Sequence, residues 1–262
     1  MLSILTLLAI CLFTNAQEKA HCLDAQCGFQ PGQVVYLFGD QVQLRAAPTT
    51  NSKVLKTLPI GMHVVVLEAH ENSWRYKGMD HPFYKVDYKG TEGYILGGLL
   101  AIDKKEIQGR THLFGLASIA DENYLLIRTL EDEGKFQEKQ LQLSHSTFFL
   151  KDIGVKGLPN LEGILLVDFV AEACGIEGGG VYLFQDAGSL HHVARLSQVA
   201  DAGIYYFWEE FIFPTDEGGL PGKIRYKKEI GKYMDTAAHW KKTQTETKDF
   251  IWDNNALALA HQ

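Results

Sequence analysis

Short apolar runs separated by turn-forming pairs recur through this chain of 262 residues, while the 3.6-residue periodicity of amphipathic helices is scarce. That pattern restricts the fold more than any other feature, because it calls for many short strands. It is clearest between Gln33 and Ala101. Gln33–Phe38 is a strand-like run closed by the turn pair Gly39-Asp40. Val42 and Leu44 alternate with Gln41, Gln43 and Arg45, the period of a half-buried strand. Ala46–Ser52 is rich in turn residues, Lys53–Leu58 alternates again, Pro59-Ile60-Gly61 turns, and Met62–Leu67 is β-branched. Phe83–Tyr88, Lys89-Gly90 and Thr91–Ile95 read as a hairpin. Strands at this spacing predict a small, closed or nearly closed β-barrel.

The motif residues in this stretch are Leu44, Arg45 and Pro48, then Ser52, Val54, Leu58 and Gly61, then Val64, Val66, Leu67 and Trp74. They end with Val86, Gly90, Gly93, Tyr94, Ile95 and Leu99-Leu100. In that order they resemble the bacterial SH3 (SH3b) family, over residues 34–102. Two departures stand out: Gln43 occupies a position where that family usually has Asn, and Arg75–Pro82 lengthens the segment before the closing hairpin. The resemblance implies a non-catalytic binding module, commonly for peptidoglycan or its peptide cross-bridges. A barrel surface can present aromatic rings as apolar platforms with polar edges. Trp74, Arg75 and Tyr76, beside the insertion, together with Tyr94, are the expected ligand-binding residues.

The chain starts with Leu2–Phe13, an uncharged apolar run followed by Thr14-Asn15-Ala16. It is shorter than the roughly 20 residues that span a bilayer and has the layout of a secretory signal peptide cut after Ala16. We therefore expect an exported protein, periplasmic or extracellular, that meets the membrane only as its export route. Export permits disulfides, and Cys22 and Cys27 in residues 17–33 are close enough in sequence to close a small loop. Zinc binding with His21 is the alternative, but zinc usually takes four ligands and this segment offers three. Cys174 is then left as a buried, unpaired thiol.

Beyond a charged junction at 103–110, residues 111–262 read as a β-rich domain, sandwich-like or a curved antiparallel sheet. Tyr124–Leu130, Gly163–Val170, Val181–Phe184, Leu190–Leu196, Ile204–Phe213, Ile224–Ile230 and Phe250–Trp252 are the strand-like runs, and Gln185-Asp186-Ala187-Gly188 is a hairpin turn. The whole chain is thus expected to be all-β. The net charge of −7 is uneven. Val34–Ile102 has 7 Lys and Arg against 6 Asp and Glu, whereas Asp103–Gln262 has 17 against 24. An acidic larger half argues against binding a nucleic-acid backbone.

No catalytic set is coherent, and neither a cofactor nor a metal is expected. The alternative to a binding protein is a cell-wall hydrolase. It would use Cys174, in the glycine-rich stretch Ala173–Gly180, as nucleophile, with His191, His192 or His239 as base. That requires one of these histidines within hydrogen-bond reach of the thiol. His191 and His192 would point to opposite faces of a strand, as would Glu209 and Glu210. We therefore expect a non-enzymatic envelope protein whose partner is peptidoglycan or another envelope protein.

Overall fold

A computed structural model describes residues 19–23, 27–171, 173–201, 204–235, 240–253 and 255–260. The expected leader, residues 1–16, lies outside the described residues. The described elements are strands joined by turns and two short 3-10 segments, so the chain is all-β. Among the described residues no helix is long and apolar enough to cross a membrane.

The first sheet is the barrel. It contains β2 (Val34–Tyr36), β3 (Val42–Arg45), β4 (Val54–Leu58), β5 (His63–Tyr76), β6 (Met79–Tyr88) and β7 (Thr91–Leu96), in the order β2-β5-β6-β7-β3-β4. The alternation works as a physical sorting rule here. Val42, Leu44, Val64, Val66, Val86 and Ile95 all point inward and are buried. Arg75–Pro82 is not a loose inserted loop. It extends β5 and β6 into a long hairpin whose turn, Lys77-Gly78, has φ of 48° and 79°, the left-handed conformation a two-residue hairpin turn needs. A Cβ on Gly78 would lie 1.9 Å from the Ser118 carbonyl oxygen. The glycine therefore serves both the turn and the close approach.

Ser118 belongs to the second sheet, which is built from β8 (Asp103–Ile107), β9 (Arg110–Ile119), β10 (Glu122–Leu130) and β11 (Phe136–Gln142). Part of the expected junction is thus strand β8. Strands β9 and β10 are apolar in both phases of the two-residue repeat, which fits a sheet covered on both sides. Leu113, Ala117 and Leu126 meet Phe38, Ile60 and Ala101 of the barrel. Phe114, Leu125 and Ile127 face the other way, onto the third sheet. Each of these large side chains contributes about 1.5–3 kcal/mol by leaving water.

The third sheet has nine strands. The edge strand β1 (Ala20–Cys22) comes from the N-terminal segment and is followed by β12 (Thr147–Asp152), β13 (Gly163–Phe169), β14 (Gly178–Asp186) and β15 (Ser189–Asp201). Next come β16 (Tyr205–Ile212), β17 (Ile224–Asp235), β18 (Trp240–Asp253) and β19 (Ala256–Leu259). Its first strands close a sandwich on the second sheet around Phe148, Leu165, Val181 and Leu183. Its later strands curl, and Phe211, Phe213, Tyr226 and Trp252 pack with Phe184 and the 158–161 loop on the inner side. The sandwich-like and curved-sheet expectations thus describe different parts of one sheet system.

Candidate functional site

On the barrel, the residues that alternate with the core form an outer face. Arg45 lies opposite Tyr94, Phe83 opposite Leu96, and Lys85 opposite Tyr94, so these side chains share that face. Gln43, two residues before Arg45, is on it as well. The long β5–β6 hairpin adds Trp74 and Tyr76. Together with Asp40, Gln43, Arg45, Thr50 and Leu99 these elements line a groove of about 280 Å³.

The polar rim of the groove is pre-organised. Arg45 donates from Nη1 to the Ser52 carbonyl at 2.8 Å and from Nη2 to Gln43 Oε1. The Ser52 hydroxyl shares its one hydrogen between the Ala47 and Thr49 carbonyls, at 2.9 and 3.1 Å, which fixes the loop beneath the guanidinium. Asn72 of β5 reaches across to the Pro48 carbonyl at 3.4 Å. Opposite this rim, Trp74 is 54% exposed although it is a large apolar ring. Tyr76 is half-buried, and its ring packs on Gly98, where a Cβ would come within 2.9 Å of it. Burial pushes the Tyr76 hydroxyl pKa up; the Arg128 charge pulls it down and the Glu138 charge adds to the rise. The arrangement can hold a short polar chain or sugar against two rings while the guanidinium and amide rim satisfies its hydrogen bonds.

The four residues singled out in the sequence are not equivalent. Trp74 and Tyr76 line the groove. Tyr94 lies beside it on the same sheet face, edge-on to His70 with ring centroids 5.8 Å apart. Arg75 points away, with its side chain 70% exposed and 3.8 Å from Asp80. In the sequence Gln43 stands out only as a departure from the family pattern and Phe83 only as the start of a hairpin strand. The alternation of β3 and β6 held the signal, because it puts Gln43 with Arg45 and Phe83 with Lys85.

At the N-terminal end, Cys22 and Cys27 are joined by a disulfide with Cα atoms 5.7 Å apart. His21 is buried and pairs instead with Asp103 Oδ2 at 3.2 Å. Burial pushes the Asp103 carboxyl up, but the His21 hydrogen bond and the Lys105 charge outweigh this and hold it below its ordinary value. No group of three or more potential metal ligands occurs among the described residues.

Cys174 is exposed rather than buried, since its turn projects beyond the end of β13. The same turn bonds to the far end of β15, with the Gly175 N–H donating to the Ala200 carbonyl at 2.9 Å. His192 lies eight residues back along β15, about 25 Å away at the rise of a strand. His191, one residue further, is tilted against Trp252, with ring centroids 6.1 Å apart. Neither can serve the thiol, and His239 lies outside the described residues. Glu209 and Glu210 separate as expected: Glu209 accepts from Tyr226 and the Ser197 N–H, while Glu210 pairs with Lys227.

Residues 40–101 match the family model of the bacterial SH3 domain. This part of the chain is therefore a bacterial SH3 domain, a module that commonly binds cell-wall or protein partners and occurs in cell-envelope or exported proteins. The rest of the chain has no family match. No curated protein and no solved structure matches it.

Proposed function

We propose that this chain is a non-catalytic, exported envelope protein whose bacterial SH3 domain binds peptidoglycan through the Trp74–Tyr76 groove, with a peptide of an envelope protein as the competing ligand. The exposed Trp74, set opposite the braced Arg45–Gln43 rim in a domain of this family, carries the reading. A large ring left in water at a groove is where a binding surface concentrates its affinity. The division at residue 102, between the binding module and the second half, belongs to the same proposal. So does the leader ending at Ala16.

The test is co-sedimentation of protein beginning at Gln17 with purified insoluble peptidoglycan, beside Trp74→Ala. Saturable binding weakened about tenfold or more by the substitution is the expected result, since a buried aromatic anchor is commonly worth 2 kcal/mol or more, roughly. Binding that the variant retains would move the site off the groove. If the wild-type protein fails to sediment, peptidoglycan is not the ligand.

A further inference from the structure

The outer face of the curled sheet carries a second aromatic site, far in sequence from the barrel. On β16 and β17, Phe211 and Tyr226 turn inward to the core. The alternate residues Tyr206, Trp208 and Glu210 turn outward, across from Gly231, Glu229 and Lys227. These five side chains line a depression of about 410 Å³. Trp208 is 45% exposed.

The site is built rather than incidental. The Tyr206 ring packs against Gly231, where a Cβ would be 1.9 Å from the ring. Any side chain at that cross-strand position would displace the ring. Its hydroxyl donates to Glu229 Oε1 at 2.6 Å. Lys227 Nζ sits between the two carboxylates, 3.4 Å from Glu210 Oε1 and 3.5 Å from Glu229 Oε2. Tyr206 and Lys227 thus fix Glu229 at both oxygens.

We propose that this face binds a neutral glycan, with a pyranose ring stacked on Trp208 and its hydroxyls bonded to Glu210, Glu229 and Lys227. Each feature selects that class. The flat indole matches the C–H face of a gluco-configured ring, which is apolar, while the ring edge is all hydroxyl. Two carboxylates repel phosphate, sulfate and acidic sugars. Lys227 already pairs both carboxylates, and a quaternary amine, which has no hydrogen to donate, cannot replace its bonds to them. A purely apolar ligand would strip water from three charges without replacing their hydrogen bonds.

The test is isothermal titration of the protein beginning at Gln17 with cellotetraose and chitotetraose, alongside Trp208→Ala, Glu210→Gln and Trp74→Ala. Binding of at least one tetraose is expected, weakened about tenfold or more by Trp208→Ala and measurably by Glu210→Gln, and unchanged by Trp74→Ala. Thermal unfolding of each variant checks that it folds; Glu210→Gln, which keeps the shape, serves if Trp208→Ala does not. Failure of the wild type to bind either sugar would overturn the proposal, as would binding that survives Trp208→Ala or is lost in Trp74→Ala alone.

Discussion

Replacing His112 with alanine is expected to cost about 3–5 kcal/mol of folding stability, from a cavity and an orphaned acceptor together. His112 is fully buried on β9, on the face opposite Leu113. Its Nδ1 is 2.9 Å from the Thr129 hydroxyl and its Nε2 is 2.7 Å from Gln185 Oε1. The Gln185 amide nitrogen donates to the Ile107 carbonyl at 3.1 Å and to Glu162 Oε2 at 2.8 Å. Gln185 Oε1 must therefore be the acceptor, His112 carries its hydrogen on Nε2, and the Thr129 hydroxyl donates to Nδ1. The chain of bonds ties the second sheet to the third through the middle of the sandwich. Truncation empties the site and leaves Gln185 Oε1 without a donor in a place that water does not reach. Urea denaturation of the two proteins measures the difference. A loss under about 1 kcal/mol, the range of ordinary surface changes, would mean that the network adds nothing.

The same residue sets a pH dependence. Burial pushes the His112 pKa down; the Gln185 hydrogen bond opposes this, the Arg110 charge adds to it and the Asp152 charge opposes it. Unfolded histidine titrates near about 6.5. Between that value and the lower folded one, the unfolded chain holds a proton that the folded chain does not. Stability is therefore full above the unfolded pKa and falls as the pH drops below it, by at most about 1.4 kcal/mol per pH unit from this group. His81 and His192 are also lowered, chiefly by burial, and act in the same direction. The part of the slope that disappears in His112→Ala belongs to His112.

None of this network could be read from the sequence, and the reason is physical. His112, Thr129 and Gln185 each look like an isolated polar residue in a strand, and the contact between His112 and Gln185 spans 73 positions. Local alternation shows which way a side chain points but not which distant sheet it meets. The barrel was legible because several of its strand pairs are neighbours in sequence: β6 and β7 close over the Lys89-Gly90 turn, and β3 and β4 are joined by a single loop. Arg75–Pro82 reads in the sequence only as an added length before the hairpin, because its polar residues hide strand ends whose tip docks on another sheet. Strands β9 and β11 were missed for opposite reasons. β9 is apolar in both phases and so shows no period, while β11 (FQEKQLQ) is mostly exposed and shows too few apolar residues. In the groove, Trp74 and Tyr76, which flank the insertion, share the lining, whereas Arg75, one residue out of phase with them, points away.

Arg128→Ala is expected to lower stability by about 2–4 kcal/mol, below the cost of breaking a fully buried ion pair because both partners keep some solvent. Arg128 on β10 shares its face with Leu126, toward the barrel. Its guanidinium is stacked between Phe38 and Phe136, 4.4 and 4.3 Å from their ring centres. It donates to the Phe38 carbonyl at 2.6 Å and to Glu138 Oε2 at 2.8 Å. Glu138 also takes Lys77, at the tip of the long hairpin, at 3.7 Å. One guanidinium thus holds the barrel's Phe38 and, through Glu138, the hairpin that carries Trp74 and Tyr76. Burial pushes the Glu138 carboxyl up, but the Arg128 hydrogen bond and the Lys77 and Arg128 charges win and hold it below its ordinary value. Its contribution is present above the unfolded carboxylate pKa and is lost as the pH falls through the lower folded value. Without Arg128 the half-buried carboxylate keeps its desolvation cost and loses its main partner, so acid unfolding should begin at higher pH. A double-mutant cycle of Arg128→Ala with Glu138→Ala should give a coupling of at least about 1 kcal/mol. Groove binding should weaken as well, because Lys77, held by Glu138, directly follows Tyr76 in the hairpin. A cycle with no coupling, or groove affinity untouched by Arg128→Ala, would show that the hairpin holds its shape unaided and that the second half does not support the groove.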